Sequence, residues 1–354
     1  EVMGAGSTDT MHDQMNNVGS RLQIIRTGAS TLPIAGIHLS VPNWTGGAAG
    51  DDFSRLGLFI NGDYGKGEKD STFNEDGFEF DSFGITSGID YRFSDKFVAG
   101  IALGYSSSDV KVDNDFGSTD AEGYNVTAYG TYYTEKFYFE GSLTSGSYDY
   151  EGVRNIDYGT GAAAVQRTLA SDTDGDQLAW SLGAGYSANK NSLNYSFYGR
   201  LESIDVDIDA YQESVTAANS TLADGSLNTD WAMRVESQDV KSLRSVLGAQ
   251  LAFAMSNKMG VIQPYANLEF HHEFENDARV ATAFYLNDPF FDAGDRTYAV
   301  NLITDKPDEN FFLLSVGTTL LKAGGTQFFV NYDTLLGLAN VSSHKFTVGV
   351  RFEL

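Results

Sequence analysis

The sequence predicts an all-β protein, a 12-stranded antiparallel transmembrane β-barrel with an N-terminal α-helix in its lumen. Three observations support this prediction: apolar residues alternate with small or polar ones, short turns alternate with long loops, and one N-terminal segment has helical spacing. Strands place successive side chains on opposite faces, whereas helices repeat every 3.6 residues. The 354 residues include 38 Gly, 24 Phe, 19 Tyr and no Cys. This composition is typical of membrane barrels and excludes a disulfide scaffold.

A period of two runs through most of the chain after residue 52. Residues 83–93 alternate mainly between apolar side chains and Gly, Thr, Asp or Arg, and residues 97–106 repeat the pattern. Most of the predicted strands exceed ten residues, which is the length that a tilted strand needs to cross a bilayer. We predict twelve strands, at about residues 53–65, 77–92, 96–110, 119–134, 137–150, 174–189, 192–206, 238–255, 259–275, 310–321, 325–334 and 342–354.

The predicted connections alternate between short turns and long loops. The long loops are predicted at about residues 66–76, 111–118, 151–173, 207–237 and 276–309. An even number of strands, with tight turns at one end and long loops at the other, is typical of outer-membrane barrels. The alternative, a soluble two-sheet sandwich, gives no reason for this alternation.

Charged side chains fall on the polar face of the predicted strands. An Arg or Lys facing lipid at mid-bilayer would cost about 2–4 kcal/mol, so this face is expected to line a hydrated lumen. The residues predicted to face the lumen are Arg55, Asp90, Arg92, Arg200, Glu202, Arg244, Glu269 and Arg351. Aromatic residues beside the short turns are predicted to form an interfacial girdle, namely Tyr91, Phe93, Phe97, Tyr132, Tyr133, Phe137, Tyr138 and Phe139.

Residues 8–26 break the strand pattern. Their apolar residues are spaced by four and three positions, which indicates a helix. At about 1.5 Å per residue, this segment would reach about 28 Å, close to the roughly 25 Å apolar band of a barrel. A helix that lies on the membrane or on the barrel rim is the alternative. The predicted pore-helix residues are Met11, Met15, Val18, Arg21, Leu22 and Arg26.

The chain is therefore divided into three parts. Residues 1–30 form a linker that contains the pore helix, residues 31–52 form a connecting segment, and residues 53–354 form the barrel. No secretory signal is recognisable at the start, which predicts a mature fragment of a longer precursor.

Charge and motif content exclude several functions. The formal net charge is −25, which argues against nucleic-acid binding because such binding needs clustered Lys and Arg. The longest apolar run, residues 246–255, is too short for a membrane helix. His271 and His272 lack metal-ligand spacing, and residues 172–176 match a calcium loop poorly and are predicted to form an acidic surface loop. We predict no metal and no cofactor.

Several segments resemble those of a known family. Residues 83–93 (FGITSGIDYRF) and 95–105 (DKFVAGIALGY) resemble the paired strands of autotransporter barrels, and so do SLRSVLG at 242–248, QPY at 263–265 and HEF at 272–274. The closing residues 349–354, GVRFEL, resemble the family's assembly signal, except that Leu354 stands where an aromatic residue is usual. The chain thus resembles the C-terminal translocator β-barrel domain of autotransporters, the type V secretion family.

The resemblance implies a function and a location. The expected protein is a monomeric barrel in the bacterial outer membrane that anchors an N-terminal passenger and exports it to the cell surface. Its expected partners are its own passenger, outer-membrane lipids and lipopolysaccharide, periplasmic chaperones and the barrel-assembly machinery. The alternative is a stand-alone porin or surface adhesin with an N-terminal plug. A hydrolase with its active site in the long loops is a third hypothesis, for which no catalytic cluster is recognisable.

No enzymatic turnover is predicted, but one bond is a candidate for self-cleavage. Residues 16–26 resemble the segment that serine-protease autotransporters of enterobacteria cut between two asparagines. The Asn16 amide nitrogen would attack its own backbone carbonyl, form a succinimide and release Asn17. Glu202, Glu269 and Asp90 are the candidate assisting carboxylates. The alternative is that Asn16 and Asn17 are ordinary polar residues of a helix in a polar lumen.

Overall fold

The computed structural model describes residues 11–12, 14–23, 25, 55–160, 165–216, 231–287, 299–322 and 325–353. These residues form one helix, α1, within residues 11–25, and a closed ring of twelve antiparallel strands. The predicted fold class is confirmed. Among the described residues, no helix combines the length and the apolar character that a bilayer-spanning helix requires.

The twelve barrel strands are numbered along the chain. They are β1 Leu56–Lys69, β2 Phe78–Ser94, β3 Phe97–Val112, β4 Gly117–Tyr133, β5 Phe137–Tyr158, β6 Val165–Lys190, β7 Leu193–Ile208, β8 Gln238–Phe253, β9 Gly260–Glu273, β10 Asn310–Leu321, β11 Gln327–Leu336 and β12 Val341–Glu353. Each strand pairs with its neighbour in sequence, and β1 pairs with β12 over the register Gly57↔Glu353 to Lys69↔Val341. The ring therefore closes and leaves no unpaired barrel edge.

The outer surface of the barrel carries an apolar belt. Leu103 and Leu247 are exposed by 63% and 64%, which a soluble fold would avoid for so many large side chains. Exposed aromatic residues flank this belt beside the short turns, as a membrane interface favours. Two of the predicted girdle residues point inward instead: Tyr138 is buried, and Tyr133 is half-buried and accepts a hydrogen bond from Arg92. The strand period explains this, because Tyr133 and Tyr138 alternate with the outward Tyr132 and Phe139.

Strands β5 and β6 are longer than their sequence pattern suggested. The predicted loop 151–173 is largely strand, and Asp172, Asp174 and Asp176 lie in β6 with their side chains outward. At about 3.3 Å per residue, the 26 residues of β6 span roughly 85 Å, far more than an apolar band of about 25 Å requires. The hairpin therefore projects beyond the apolar belt, where its outward face is polar, and the prediction of an acidic loop at 172–176 is wrong.

The long connections form structure of their own above the barrel. Tyr211–Gln212, Met233–Val235, Val280–Tyr285 and Val300–Ile303 pair into a separate four-stranded sheet. A clasp, defined by Lys69, Thr72, Asn74, Glu75 and Asp305, joins the β1–β2 loop to the β9–β10 loop. The Lys69 ammonium lies 2.7 Å from Glu75 and 3.2 Å from Asp305, and the Thr72 hydroxyl donates to Asp305 at 2.7 Å.

Candidate functional site in the barrel lumen

The apolar stripe of α1 is buried against the inner wall of the barrel. Met11 and Met15 belong to a buried cluster with Tyr150 and Ile208, near the long-loop ends of β5 and β7. Further along α1, the buried cluster joins Val18, Leu22 and Ile25 to side chains near the short-turn ends of their strands, namely Phe59, Val98, Ala102 and Tyr129. The helix therefore begins towards the long loops and runs towards the short turns, inside the lumen.

A second, polar face of α1 is held by hydrogen bonds. The Gln14 amide donates to the Thr127 hydroxyl at 3.2 Å, and its carbonyl oxygen accepts from Thr86 at 2.6 Å. The Asn17 amide donates to Asp63 at 2.6 Å and to Thr86 at 3.2 Å. All five side chains are buried, so these bonds pair polar groups that are shielded from solvent.

One turn further along this face, Arg21 forms a buried ion pair with Asp90. The Arg21 Nε donates to Asp90 Oδ2 at 2.7 Å, a terminal guanidinium nitrogen contacts the same oxygen, and the two side chains are 1% and 5% exposed. The Tyr129 hydroxyl also donates to Asp90, at 3.2 Å, and the guanidinium lies 5.2 Å from the centroid of the Phe59 ring. We call Asp63, Thr86, Asp90 and Thr127 the helix seat; all four lie on β1, β2 or β4.

The opposite wall contains a network of charged and polar side chains that mainly pair with one another. Arg200 contacts Glu202 and lies 3.2 Å from Glu269, and His271 Nε2 lies 2.8 Å from Glu269. Tyr198 donates a hydrogen bond to Glu269 as well. We call these five residues the far network; they lie on β7 and β9.

Between α1 and the far network lies a cavity of about 90 Å³. Asn16, Gly19, Ser20 and Gln23 line it from the helix side, and Glu202 and Glu269 are among the residues that line it from the barrel side. The lumen therefore contains a helix seated against one wall and a polar gap along the other.

A family model for the autotransporter β-domain matches residues 58–333. The chain belongs to the autotransporter β-domain family. A search of curated protein sequences finds no match.

Solved structures of other autotransporter barrels share the fold of this β-domain. The translocator domain of NalP from Neisseria meningitidis superposes with a TM-score of 0.64 at 15% identity, covering 100% of this chain and 99% of that one. The β-domain of the Bordetella autotransporter BrkA gives a TM-score of 0.55 at 17% identity, covering 86% and 100%. The transport unit of AIDA-I from Escherichia coli gives 0.52 at 13%, covering 92% and 97%. With the family match, this identifies the chain as an autotransporter translocator barrel.

The predicted lumen-facing residues of the β-domain are placed as follows. Asp90 lies in the helix seat, and Arg200, Glu202 and Glu269 lie in the far network. Of the remaining four, three point inward: Arg244 pairs with Glu273 at 2.8 Å, Arg351 pairs with Glu353 at 2.7 Å, and Arg92 binds the Tyr133 hydroxyl.

Arg55 is the exception. It precedes the first residue of β1, is exposed at the short-turn end, and hydrogen bonds to the outward-facing Tyr91. The prediction that it faces the lumen is wrong because the alternation of inward and outward residues was extended to position 55, one residue before β1 begins.

The pore-helix predictions have a similar outcome. Met11, Met15, Val18, Arg21 and Leu22 are all buried in the lumen, whereas Arg26 lies outside the described residues. Asn16 and Asn17 point in different directions: Asn17 is fixed in the helix seat, and Asn16 lines the cavity beside Glu202 and Glu269. Asp90, the third proposed assisting carboxylate, is bound to Arg21 instead.

Sequence reasoning missed most of the helix seat. Asp63, Thr86 and Thr127 all occupy inward positions of their strands, so strand parity could have named them. Gln14, Asn17 and Arg21 are spaced by three and four residues, so they form a polar stripe on one helix face. Within the described ranges, no three His, Asp or Glu side chains are arranged to share a metal ion.

Proposed function

We propose that this β-domain exports the polypeptide attached to the N-terminal side of α1 to the cell surface and then retains α1 as a plug. The observation that supports this most directly is the seating of α1 in the lumen with its beginning towards the long loops. A chain that enters from the short-turn side and emerges among the long loops would leave the helix in this direction.

The polarity of the lumen supports the proposal physically. A polypeptide that crosses a bilayer needs a conduit in which its backbone groups stay solvated or hydrogen bonded. The far network supplies such a surface, since its charges are paired whether or not a chain passes. The helix seat then holds α1 after transit.

The apolar belt and the polar surface above it indicate the surroundings that we propose for the outside of the barrel. The apolar belt would contact outer-membrane lipid, and the polar surface above it would lie among lipopolysaccharide head groups. The closed ring favours a monomer. We propose that periplasmic chaperones and the barrel-assembly machinery insert the barrel, with residues 349–354 as the recognised segment.

Surface display in intact cells tests the export proposal. The chain would be expressed behind a secretion signal with an epitope fused ahead of Glu1, and protease would be added outside. We expect loss of the epitope in intact cells, whereas a second epitope inserted at the Asp95–Lys96 turn is lost only after the outer membrane is permeabilised. Protection of the first epitope in intact cells would contradict export and favour the porin or adhesin alternative.

We propose self-cleavage between Asn16 and Asn17 as a second candidate activity. Its support is the position of Asn16, which lines the same cavity as Glu202 and Glu269. Mass spectrometry of the purified chain, after incubation at neutral pH, should detect a fragment beginning at Asn17. Asn16→Gln should abolish this fragment, because the longer side chain cannot close the same five-membered succinimide. A wild-type chain that stays intact would contradict this proposal without affecting the export proposal.

A further inference from the structure

A vestibule of about 510 Å³ lies at the long-loop end of the lumen. Pockets of roughly 300–1,000 Å³ are typical of small-molecule sites. Asp277 and Lys306 are among the residues that line the vestibule, and their side chains are exposed by 97% and 71%. The vestibule therefore opens to solvent among the long loops, and a small molecule can enter it without passing through the barrel.

Part of the vestibule wall is apolar. The Phe78 and Phe80 rings, whose centroids lie 6.3 Å apart, and the Phe311 ring are buried side chains that line it. This apolar surface is extended by Leu335, Leu338 and Val341. Such a wall suits the body of an aromatic or aliphatic molecule.

Beside the Phe311 ring lie a guanidinium and an imidazole that have nitrogens available to a ligand. The Arg244 guanidinium lies 5.2 Å from the centroid of this ring, and the His271 ring stacks on it at 4.9 Å. Arg244 uses only Nε for its hydrogen bond to Glu273. His271 uses Nε2 for Glu269, and its buried Nδ1 has no partner in the described part of the chain.

The electrostatic surroundings of this point favour an anion. His12, on α1, also lines the vestibule, and its buried Nε2 has no partner among the described residues. The ionisable side chains that act most strongly on His12 are cationic or can become so, namely Arg244, His271, Lys345 and Arg200.

The carboxylates that line the inner part of the vestibule already have partners. Glu202 contacts Arg200, Glu273 contacts Arg244, and Asp333 accepts a hydrogen bond at 2.7 Å from a neighbouring amide. A carboxylate brought by a ligand would instead meet donors that are still available. It would also give His271 a partner for each ring nitrogen, because a protonated imidazole donates from both.

We propose that the vestibule binds a small amphipathic carboxylate. Its carboxylate group lies among Arg244, His271 and His12, and its apolar body lies against the phenylalanine rings. This activity goes beyond export, since the ligand is a free molecule and not the passenger chain. Because His12 belongs to α1, the site is complete only while the helix is seated.

Fluorine NMR of the full chain in phosphatidylcholine nanodiscs tests the proposal, with para-fluorophenylpropionate as the probe. We expect saturable broadening of the probe signal. The neutral analogue para-fluorophenylpropanol has the same apolar body and should bind about tenfold more weakly, which corresponds to about 1.4 kcal/mol. This comparison separates the proposed site from partition into lipid.

Two matched variants locate the carboxylate group. Arg244→Gln should weaken binding of the propionate by about tenfold or more, because hydrogen bonds to charged groups are the strong ones. Glu273 keeps its hydrogen bonds from the Ser242 hydroxyl and the Leu243 amide in this variant. Arg351→Gln removes a guanidinium at the short-turn end of the lumen and should leave binding unchanged. His12→Leu is the second variant if Arg244→Gln fails to fold, and it should also weaken binding.

A spin label locates the ligand independently. The chain has no cysteine, so a nitroxide can be attached at Lys306→Cys among the long loops or at Lys96→Cys in a short turn. We expect the bound probe to be broadened further by the label at residue 306 and not by the label at residue 96.

Four results would overturn the proposal: no saturable binding of the propionate, equal affinity for the propionate and the propanol, a folded Arg244→Gln or His12→Leu chain that binds like the wild type, or broadening by the label at residue 96 alone. Surface display of the N-terminal epitope does not depend on any of these results.

Discussion

The two sides of the lumen differ in how they interact with α1. The helix seat, on β1, β2 and β4, offers groups whose partners are side chains of α1. The far network, on β7 and β9, offers polar groups that mainly pair with one another. One wall therefore binds α1 through hydrogen bonds and an ion pair, whereas the other wall pairs its own polar groups and lines the cavity beside the helix.

This difference shows how one lumen can both hold a helix and admit a chain. If both walls depended on α1, removal of the helix would leave buried charges without partners, at a cost of several kcal/mol each. Because the far network pairs its own charges, only the seat loses its partners when α1 is absent. The helix seat holds α1 in one position, and the far network keeps a polar surface along the rest of the lumen.

The largest effect is expected from Asp90→Ala. It leaves the buried guanidinium of Arg21 without its carboxylate, which typically costs about 3–5 kcal/mol, so α1 should leave the seat often. Single-channel recordings should then show large openings that the wild type lacks. Glu202→Gln in the far network is the matched control and should not produce them, because Arg200 still has Glu269. Large openings in both variants, or in neither, would show that the two walls do not differ in how strongly they hold α1.

A second comparison uses two adjacent residues of the helix. Asn17→Ala removes the hydrogen bonds to Asp63 and Thr86, and bonds to charged groups contribute about 1.5–3 kcal/mol. Asn16→Ala removes no bond to the seat. We expect Asn17→Ala to expose α1 to added protease much faster than the wild type, and Asn16→Ala to change the rate little. Equal rates for the two variants would show that the seat does not hold the helix.

The division between these walls was only partly predictable from the sequence. Alternation predicted the twelve strands, and helical spacing predicted α1, because both signals arise from the contrast of apolar and polar faces. The same contrast gave a wrong prediction at Asp172, Asp174 and Asp176, because a strand segment with polar outward residues, beyond the apolar belt, has the sequence pattern of a loop. Most of the seat was missed. Thr86 and Thr127 carry no charge, so the alternation of the strands did not distinguish them from other inward residues, and Asp63 was not named although it is charged and lies on the same face of its strand as the predicted Arg55.

A third comparison uses two glycines that face the two sides. A Cβ atom at Gly104 would overlap the side chain of Asn125 and would lie 2.6 Å from the Gln14 side-chain oxygen, and one at Gly248 would overlap the Tyr198 ring. Overpacking of this kind costs about 1–3 kcal/mol. Gly104→Ala should therefore displace α1 and increase its protease sensitivity, whereas Gly248→Ala should disturb the far network and lower barrel stability to heat without exposing α1. If Gly248→Ala exposed α1 to protease and Gly104→Ala did not, the helix would be held by the far network and not by the helix seat.

The smallest effect concerns the clasp that joins the two walls above the lumen. The hydrogen bond from Thr72, helped by Lys69 and Asn74, holds the pKa of Asp305 below its ordinary value, although partial burial opposes this. Because this pKa is lowered in the folded state, the ionised Asp305 carboxylate stabilises the clasp at pH values above its unfolded-state pKa. This stabilisation is lost as the pH falls through the folded-state pKa.

Hydrogen exchange measures this clasp, because the Asp305 amide donates to Glu75 at 2.7 Å. After correction for intrinsic rates, protection at residue 305 should stay constant from neutral to mildly acidic pH and fall only in stronger acid. Lys69→Met should reduce this protection already at neutral pH. Protection that decreases as pH rises from acid to neutral would contradict the assignment.

Thiol cross-linking shows directly whether α1 is seated on the β1–β4 side of the lumen. The chain has no cysteine, so two introduced thiols and a short bifunctional reagent report one distance at a time. We predict efficient cross-linking for Asn17→Cys with Asp63→Cys, and little for Asn17→Cys with Asp333→Cys, whose position faces the cavity. Equal cross-linking of the two pairs, or a preference for residue 333, would show that α1 is not held against the β1–β4 wall.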